Sequence, residues 1–490
     1  MTPEPDPVRR QSSTEVTPAT SSLGAADEPT AGGSSTGKGL GAETQVACVR
    51  GAGRSRDTGR FPACAPCSLP STGVQDGTVT ERNWAGNHTY TAARIERPSD
   101  VEALRELVAA GDRVKALGSR HSFSDIADTT GTLVSLEDLP VEVTIDEEAR
   151  TASVTGGATY GALASALDAR GWALGAMASL PHISVAGAVA TGTHGSGDRN
   201  RSLAGAVCGL DMVGPDGDLR TLRRGDPDFD GSVVALGALG VVTRVEVDVE
   251  PTYSISQTAY TGLTWDALAE SFDDVTSHGY SVSLFTTFDD AQVRQMWVKA
   301  RSDAPPVEAF TGTVPATETL HMLEGAPTDA VTQQGGVPGP WFERLPHFRM
   351  EFTPSRGEEI QSEYLLPREN ALAAVDALRR LQPGFGPLLQ VAEIRSIAGD
   401  DLWLSGASGR DTVGLHFTWV RDTEAVLAAV APMEEELLPL GARPHWGKVF
   451  AAGAADLAPL YPRLEDFRAL RDRVDPERVF GNAFLDRVLG

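Results

Sequence analysis

Leu117-Gly118-Ser119-Arg120-His121-Ser122-Phe123 directly follows a run, Arg113 to Leu117, that reads as a strand, and this junction decides how the first part of the chain is organised. Upstream, Tyr90 to Ile95 reads as another strand. Ser99-Asp100-Val101-Glu102 has the form of a capping box, with Ser99 as N-cap and Glu102 at the third helical position. Val101, Leu104, Leu107 and Val108 follow at helical spacing, and Gly111 ends the helix. The pattern is strand, helix, strand, then a loop of small residues. A second such loop runs from Ser179 to Gly197 (SLPHISVAGAVATGTHGSG). Residues without bulk let a backbone approach a ligand closely, and successive N–H groups form concavities that hold anions. Hydroxyls at Ser184, Thr191 and Thr193 add donors for phosphate oxygens. Small residues also suit tight sheet crossings, so composition alone leaves both readings open.

The usual dinucleotide fingerprint is missing. The first strand–helix junction, Arg97-Pro98-Ser99, holds no glycine, and Lys38 lacks the upstream glycine a phosphate-binding P-loop requires. Further strands come in pairs. Val141 to Ile145 and Thr151 to Val154 flank Asp146-Glu147-Glu148, while Leu210 to Val213 and Leu219 to Leu222 flank the turn Pro215-Asp216-Gly217-Asp218. Tyr160 to Ala169 reads as a helix. Val241 to Val249 carries Val241, Thr243, Val245, Val247 and Val249 on one face, the periodicity of a strand. Beyond Pro251, strands at Tyr280 to Thr287 and Thr412 to Val420 mix with helices at Glu369 to Leu381, Thr423 to Leu438 and Glu465 to Val474. The expected fold class is α+β with two lobes.

The 490 residues carry a formal charge of −25. Residues 1–80 hold seven basic and eight acidic side chains, so nearly all of that charge lies on the rest. So acidic a surface disfavours nucleic acid and anionic lipid as partners. Residues 1–78 are rich in Gly, Ser, Thr, Pro and Ala and too poor in apolar side chains to offset the entropy of ordering them; a disordered extension is expected. Cys64-Ala65-Pro66-Cys67 lies inside it without a second ligand pair, and Cys208 is the only thiol in the body of the chain. Arg9-Arg10 is followed by no apolar run, and Val233 to Val242, at ten residues, is too short to span a bilayer. A soluble, cytoplasmic, monomeric protein is expected.

Taken together, the two small-residue loops resemble the FAD-binding half of the vanillyl-alcohol-oxidase type of flavoenzymes. The likeness continues through Gly237-Ala238-Leu239-Gly240-Val241-Val242-Thr243. From Asn83-Trp84-Ala85-Gly86-Asn87 to the C-terminus the chain is similar to the members that oxidise alditols, with Val337-Pro338-Gly339-Pro340-Trp341, Glu393-Ile394-Arg395, His416-Phe417-Thr418-Trp419 and Arg443 to Phe450 as further motifs. The resemblance implies an FAD-binding domain over residues 79–250, built of two small α/β subdomains. It also implies a substrate domain over 251–440 with a mixed sheet, and a final segment, 441–490, that returns to the flavin.

For the cofactor, the resemblance implies one covalent link, from His121 to the 8α carbon of the flavin. The chemistry needs a neutral imidazole, available near pH 7 from an ordinary pKa of about 6.5. No second, cysteinyl link is expected, because Leu180 stands where some relatives carry cysteine. Gly118, Ser119, Arg120, Ser122, Phe123, Ser179, Ser184, Gly187, Thr191, Gly192, Thr193, His194, Val242 and His445 complete the expected FAD contacts. For the substrate, the expected residues are Ser179, Glu393, Arg395, His416, Thr418 and Lys448. Glu393 and Arg395, two apart, project from one strand face, and His416 and Thr418 repeat that geometry. Without the resemblance these would be ordinary polar pairs on exposed strands. With it, Arg395 and Lys448 stabilise a developing alkoxide and, with Glu393, form the catalytic set. The implied reaction converts the terminal hydroxyl of a small polyol to the aldehyde and reduces O2 to hydrogen peroxide. A sugar-1,4-lactone oxidase or dehydrogenase is the alternative, and a non-catalytic flavin- or polyol-binding protein a remote one. His182 and His194 have no ligand spacing with each other or with an acidic residue, so no metal is expected.

Overall fold

The computed structural model describes residues 81–289, 291–352 and 358–490, together with Val74–Gln75 and Thr78–Val79 ahead of them. Those two pairs form a short antiparallel ladder where the sequence reading placed an unstructured extension. The rest of that extension, with Cys64 and Cys67, lies outside the described residues.

Three sheets organise the chain. A parallel three-stranded sheet has the order Arg94–Glu96, Thr132–Ser135, Val114–Leu117, with the helix Val101–Ala109 as its first crossover. Leu104 and Val108 of that helix are fully buried against Val114 and Val134, and Val213 and Val241 of the next sheet join the same cluster. That next sheet is antiparallel, in the order Leu219–Arg223, Val207–Val213, Val241–Asp248, Thr151–Thr155, Val143–Asp146. Val241, Thr243, Val245 and Val247 are buried while Val242, Arg244 and Glu246 are partly exposed, the alternation read from the sequence. The helices Tyr160–Asp168 and Val185–Ala190 supply Leu163, Leu167, Val185 and Val189 to the core they share with this sheet.

The third sheet has nine strands. Its path runs Val314–Pro315, Ser254–Thr261, Gln295–Arg301, Ser281–Thr286, Leu389–Ile397, Thr412–Val420, Glu359–Pro367, Arg443–Pro444, with Gly339–Pro340 pairing beside Ser254–Thr261. One face is apolar: Ile360, Tyr364, Ile394, Leu415, Phe417 and Trp419 share a core with Ala374, Val375 and Leu378 of the helix Ala371–Phe385 and with Val426, Val430 and Met433 of Thr423–Leu437. Full burial of each large apolar side chain contributes about 1.5–3 kcal/mol, which commits the opposite face to the polar residues between them. After Arg443–Pro444 the chain leaves this sheet. Phe467, Leu470, Phe484 and Leu485 of the last two long helices join the core of the antiparallel five-stranded sheet.

Two local expectations are corrected. Asp100, not Ser99, caps the first helix: its Oδ1 accepts from Ala103 N at 2.8 Å, three residues on, so the helix opens at Val101 rather than at Asp100. The strand expected over Tyr90 to Ile95 shrinks to Arg94–Glu96. Thr91 N donates instead to Asp128 and Tyr90 N to Glu81 O, which draws that backbone out of the sheet.

Candidate active site

Strand pairing assembles the site. Glu393 stands opposite His416, and His416 opposite Glu363, so three side chains form one row across three neighbouring strands. Thr418 pairs with Val391 and with Gln361, one step along. Side chains two residues apart share a face, so Gln361, Glu363, Glu393, Arg395, His416 and Thr418 all lie on the face turned away from the helices. Arg395 is the hub. Its Nη2 donates to Glu363 Oε1 at 2.9 Å, its Nη1 donates to Ser179 Oγ at 3.3 Å, and Nη1 lies 3.6 Å from Glu393 Oε2. Ser179 begins the second small-residue loop, so this one guanidinium joins loop to sheet.

Glu363 is held by more than Arg395. Its Oε1 is 3.2 Å from His194 Nε2 and its Oε2 3.3 Å from His416 Nδ1. Burial pushes the carboxyl up, but Arg395 and the histidines outweigh it and hold it well below the usual carboxylate range. Gly414 lies against this contact: a Cβ there would touch Glu363 Oε1 and His194 Cε1 at 3.4 and 3.5 Å. His445 is also buried and joins His194 and Glu363 in a group whose nitrogen and oxygen atoms lie within 4.8 Å of one another. A divalent cation there would have to sit beside the Arg395 guanidinium, which already occupies Glu363 Oε1.

The two loops meet on the other side. Ser184 N donates to Ser119 Oγ at 3.0 Å, and a Cβ on either Gly118 or Gly187 would come within 2.7 Å of Ser184 Oγ. A side chain at either position would have to displace the Ser184 hydroxyl. At Gly156 and Gly157 a Cβ would come within 2.4 Å of Val242 O and of Leu136 O. Phe123 N donates to Gly447 O at 2.7 Å, which ties the His121 loop to the segment carrying Lys448. The Lys448 ammonium lies 5.3 Å from the Phe123 ring and donates to Gln361 on the sheet face. Burial, eased by Glu363, lowers its pKa to about 8, so it remains mostly charged at neutral pH.

His121 stacks on Trp84 with ring centres 5.4 Å apart. Its Nδ1 is buried and makes no hydrogen bond, and burial with His182, Lys448 and Arg120 nearby lowers its pKa to about 4. A neutral imidazole with a free ring nitrogen is what attachment to a flavin carbon requires, so the residues present fit FAD.

The other expected contacts divide. Arg120, at φ +62°, turns its guanidinium toward Glu81 and Glu137. The Thr191 hydroxyl donates back to Gly187 O at 3.0 Å and meets Thr193 Oγ1 at 3.1 Å. His182 shares a hydrogen bond with Met350 O at 2.9 Å. His194 and His445 lie with the sheet-face cluster rather than with the phosphate-type loops. Glu363, Gln361 and the Gly156-Gly157 pair escaped the sequence reading. Gln361 and Glu363 carry the same two-residue spacing as Glu393 and Arg395, but the polar Ser362 between them hides the alternation.

The chain is 50% identical over 410 residues to the alditol oxidase of Streptomyces sp. (strain IKD472 / FERM P-14339), covering 83% of this chain and 98% of that protein. It belongs to the vanillyl-alcohol-oxidase family of FAD-dependent oxidoreductases. Within that family it groups with the alditol oxidase. An FAD binding domain model matches residues 92–223 of this flavoprotein, and a D-arabinono-1,4-lactone oxidase model matches 353–488. The L-gulono-1,4-lactone dehydrogenase of Mycobacterium tuberculosis is 32% identical over 438 residues, covering 83% of this chain and 98% of that protein. The solved cholesterol oxidase of Brevibacterium sterolicum superimposes with a TM-score of 0.68 over 88% of this chain and all of that one, at 16% identity, a likeness of fold. The two-lobed α+β expectation is borne out. Among the described residues no helix is long and apolar enough to cross a membrane.

Proposed function

We propose that this chain oxidises the terminal –CH2OH of small alditols such as xylitol and sorbitol to the aldehyde, with O2 as acceptor and hydrogen peroxide as product. The observation that carries the reading is the polar sheet face: Glu393, Arg395, His416 and Thr418 on adjacent strands, with Ser179 against Arg395 and Lys448 against Gln361. A polyol buried there needs a partner for every hydroxyl, and this face offers acceptors, donors and two cations within one patch. Bound FAD would take the hydride from the carbinol carbon and deliver the electron pair to O2. Arg395 and Lys448 stabilise the alkoxide as the hydroxyl proton is lost, and their charge acts strongly because the surroundings are dry. Glu393, Ser179, His416 and Thr418 hold the remaining hydroxyls and so present one chain end for reaction.

In this reading residues 79–250 hold FAD, 251–440 form the substrate domain and 441–490 bring His445 and Lys448 back to the flavin. Gly118, Ser119, Ser122, Ser184, Gly187, Gly192, Thr193 and Val242 are its backbone and hydroxyl contacts. The enzyme acts as a cytoplasmic monomer with no nucleic-acid partner and no resident metal. Peroxide release across C4–C6 alditols, set against gulono- and galactono-1,4-lactone, tests the substrate. Turnover of xylitol and sorbitol in preference to the lactones is expected. Preference for the lactones would favour the reading suggested by the 353–488 match and the mycobacterial relative.

We also propose that FAD is joined covalently to His121 alone. Acid-precipitated wild-type protein should give a yellow pellet. The His121→Ala variant should release its flavin into the supernatant, and a variant pellet that stays yellow would show that the link lies elsewhere. Cys208, whose thiol is pushed up to about 12 chiefly by burial, is a poor second attachment point.

A further inference from the structure

His347 lies in an irregular segment that the reaction as argued above does not use. It is buried, and every polar group it has is engaged. Nε2 is 2.9 Å from Glu393 Oε1, Nδ1 is 3.3 Å from Lys299 Nζ, the backbone N–H donates to Ser179 O at 3.1 Å, and the carbonyl accepts from Thr332 N at 3.0 Å. Phe285 and Trp297 stand edge-on to the ring, with centres 5.7 and 5.3 Å away, and fix its plane. One residue therefore touches both Ser179 and Glu393 from behind.

The proton on this ring can be placed. Against the cost of burial, Glu393 is held ionised by Arg395 and His347, so its Oε1 has only an acceptor to offer Nε2. The ring proton therefore sits on Nε2, aimed at Glu393, and Nδ1 faces the buried Lys299 ammonium, which also donates to Leu345 O. Burial and the Lys299 cation lower the His347 pKa to about 4, so a single ring proton is present at neutral pH. Glu393 Oε1 thus accepts from His347, while Oε2, 3.6 Å from Arg395 Nη1, keeps its lone pairs open to a ligand. His347 so fixes where this carboxylate can accept from a substrate hydroxyl.

We infer that His347 is a positioning residue: with Lys299 behind it, it locks Glu393 so that one carboxylate oxygen receives a substrate hydroxyl. The inference rests on the proposed role of Glu393 in substrate binding. The test measures kcat and KM for xylitol on the full-length flavoprotein in H347A, H347L, H347Q, E393Q and the double variant H347A/E393Q. H347A should raise KM about 10- to 100-fold, the loss of one buried charge-assisted hydrogen bond, with a much smaller change in kcat. H347Q, whose amide N–H can reach Oε1, should recover most of the loss, and the double variant should be no worse than E393Q. If H347A does not fold, H347L against H347Q gives the same contrast. A merely structural role would lower the active fraction and kcat and leave KM alone, which overturns the inference. Additive effects in the double variant, or an unchanged KM in the His347 variants beside a raised one in E393Q, overturn it and leave the role of Glu393 standing. An unchanged KM in E393Q removes both.

Discussion

Arg395→Ala is expected to slow anaerobic reduction of the flavin by xylitol about 10²–10³-fold, the loss typical when a preorganised donor to a developing oxyanion is removed. The expectation comes from where the guanidinium sits. It is 7% exposed and its Nε is buried without a partner, while Nη1 and Nη2 are spread between Ser179, Glu393 and Glu363. A cation so placed needs no reorganisation to meet an alkoxide. Arg395→Lys keeps the charge but loses the planar fork that reaches loop and sheet together, and should recover only part of the rate. Lys448→Ala should fall in the same direction, since it removes the second buried cation at this sheet face. Stopped-flow spectra at 450 nm or so follow the step directly, and a limiting rate equal to that of wild type would take Arg395 out of the chemistry. Retention of the yellow chromophore in the variant separates this outcome from a failure to fold.

What the sequence disclosed follows from periodicity. Glu393 sits between Ala392 and Ile394, Arg395 between Ile394 and Ser396, and His416 and Thr418 among Leu415, Phe417 and Trp419, so apolar neighbours mark the strands and leave the polar pairs on the free face. Gln361, Ser362 and Glu363 are three polar residues in succession, and the alternation is hidden there. Only the pairing shows that Ser362 turns inward, accepting from Trp419 Nε1, while Glu363 faces the site. His347 has no periodic context at all, because its place depends on contacts with Ser179 and Glu393, 168 and 46 positions away, that no local pattern encodes. The order of the nine-stranded sheet was equally hidden: strands 281–286 and 389–397 are neighbours across more than a hundred residues. Loop chemistry fared better: a Cβ on Gly195 or Gly197 would come within 2.5 Å of the Met177 or Tyr280 carbonyl oxygen, so the second loop needs glycine there.

Glu363→Leu is expected to destabilise the folded protein by about 3–5 kcal/mol at pH 7, the usual result of removing one partner from a buried ion cluster. Arg395 would keep only the longer contact to Glu393, and His194 and His416 would each lose their anionic neighbour. The acid dependence of this loss has a definite sign. The folded-state pKa of Glu363 lies well below 4.5, so its contribution is complete above the unfolded value and declines as pH falls from about 4.5 toward the folded one. The gap between wild type and Glu363→Leu should therefore be constant from about pH 7 to 5 and then narrow, by up to about 1.4 kcal/mol per pH unit. His416 and His445 act on both proteins alike in direction. Burial lowers their pKa values in the fold, so below about 6.5 the unfolded chain binds protons that the folded one refuses, and stability falls with pH. Denaturant titrations of the two proteins between pH 7 and 3.5 measure both slopes, and a gap that stays the same down to pH 3.5 would mean that Glu363 is not held as an anion in the fold.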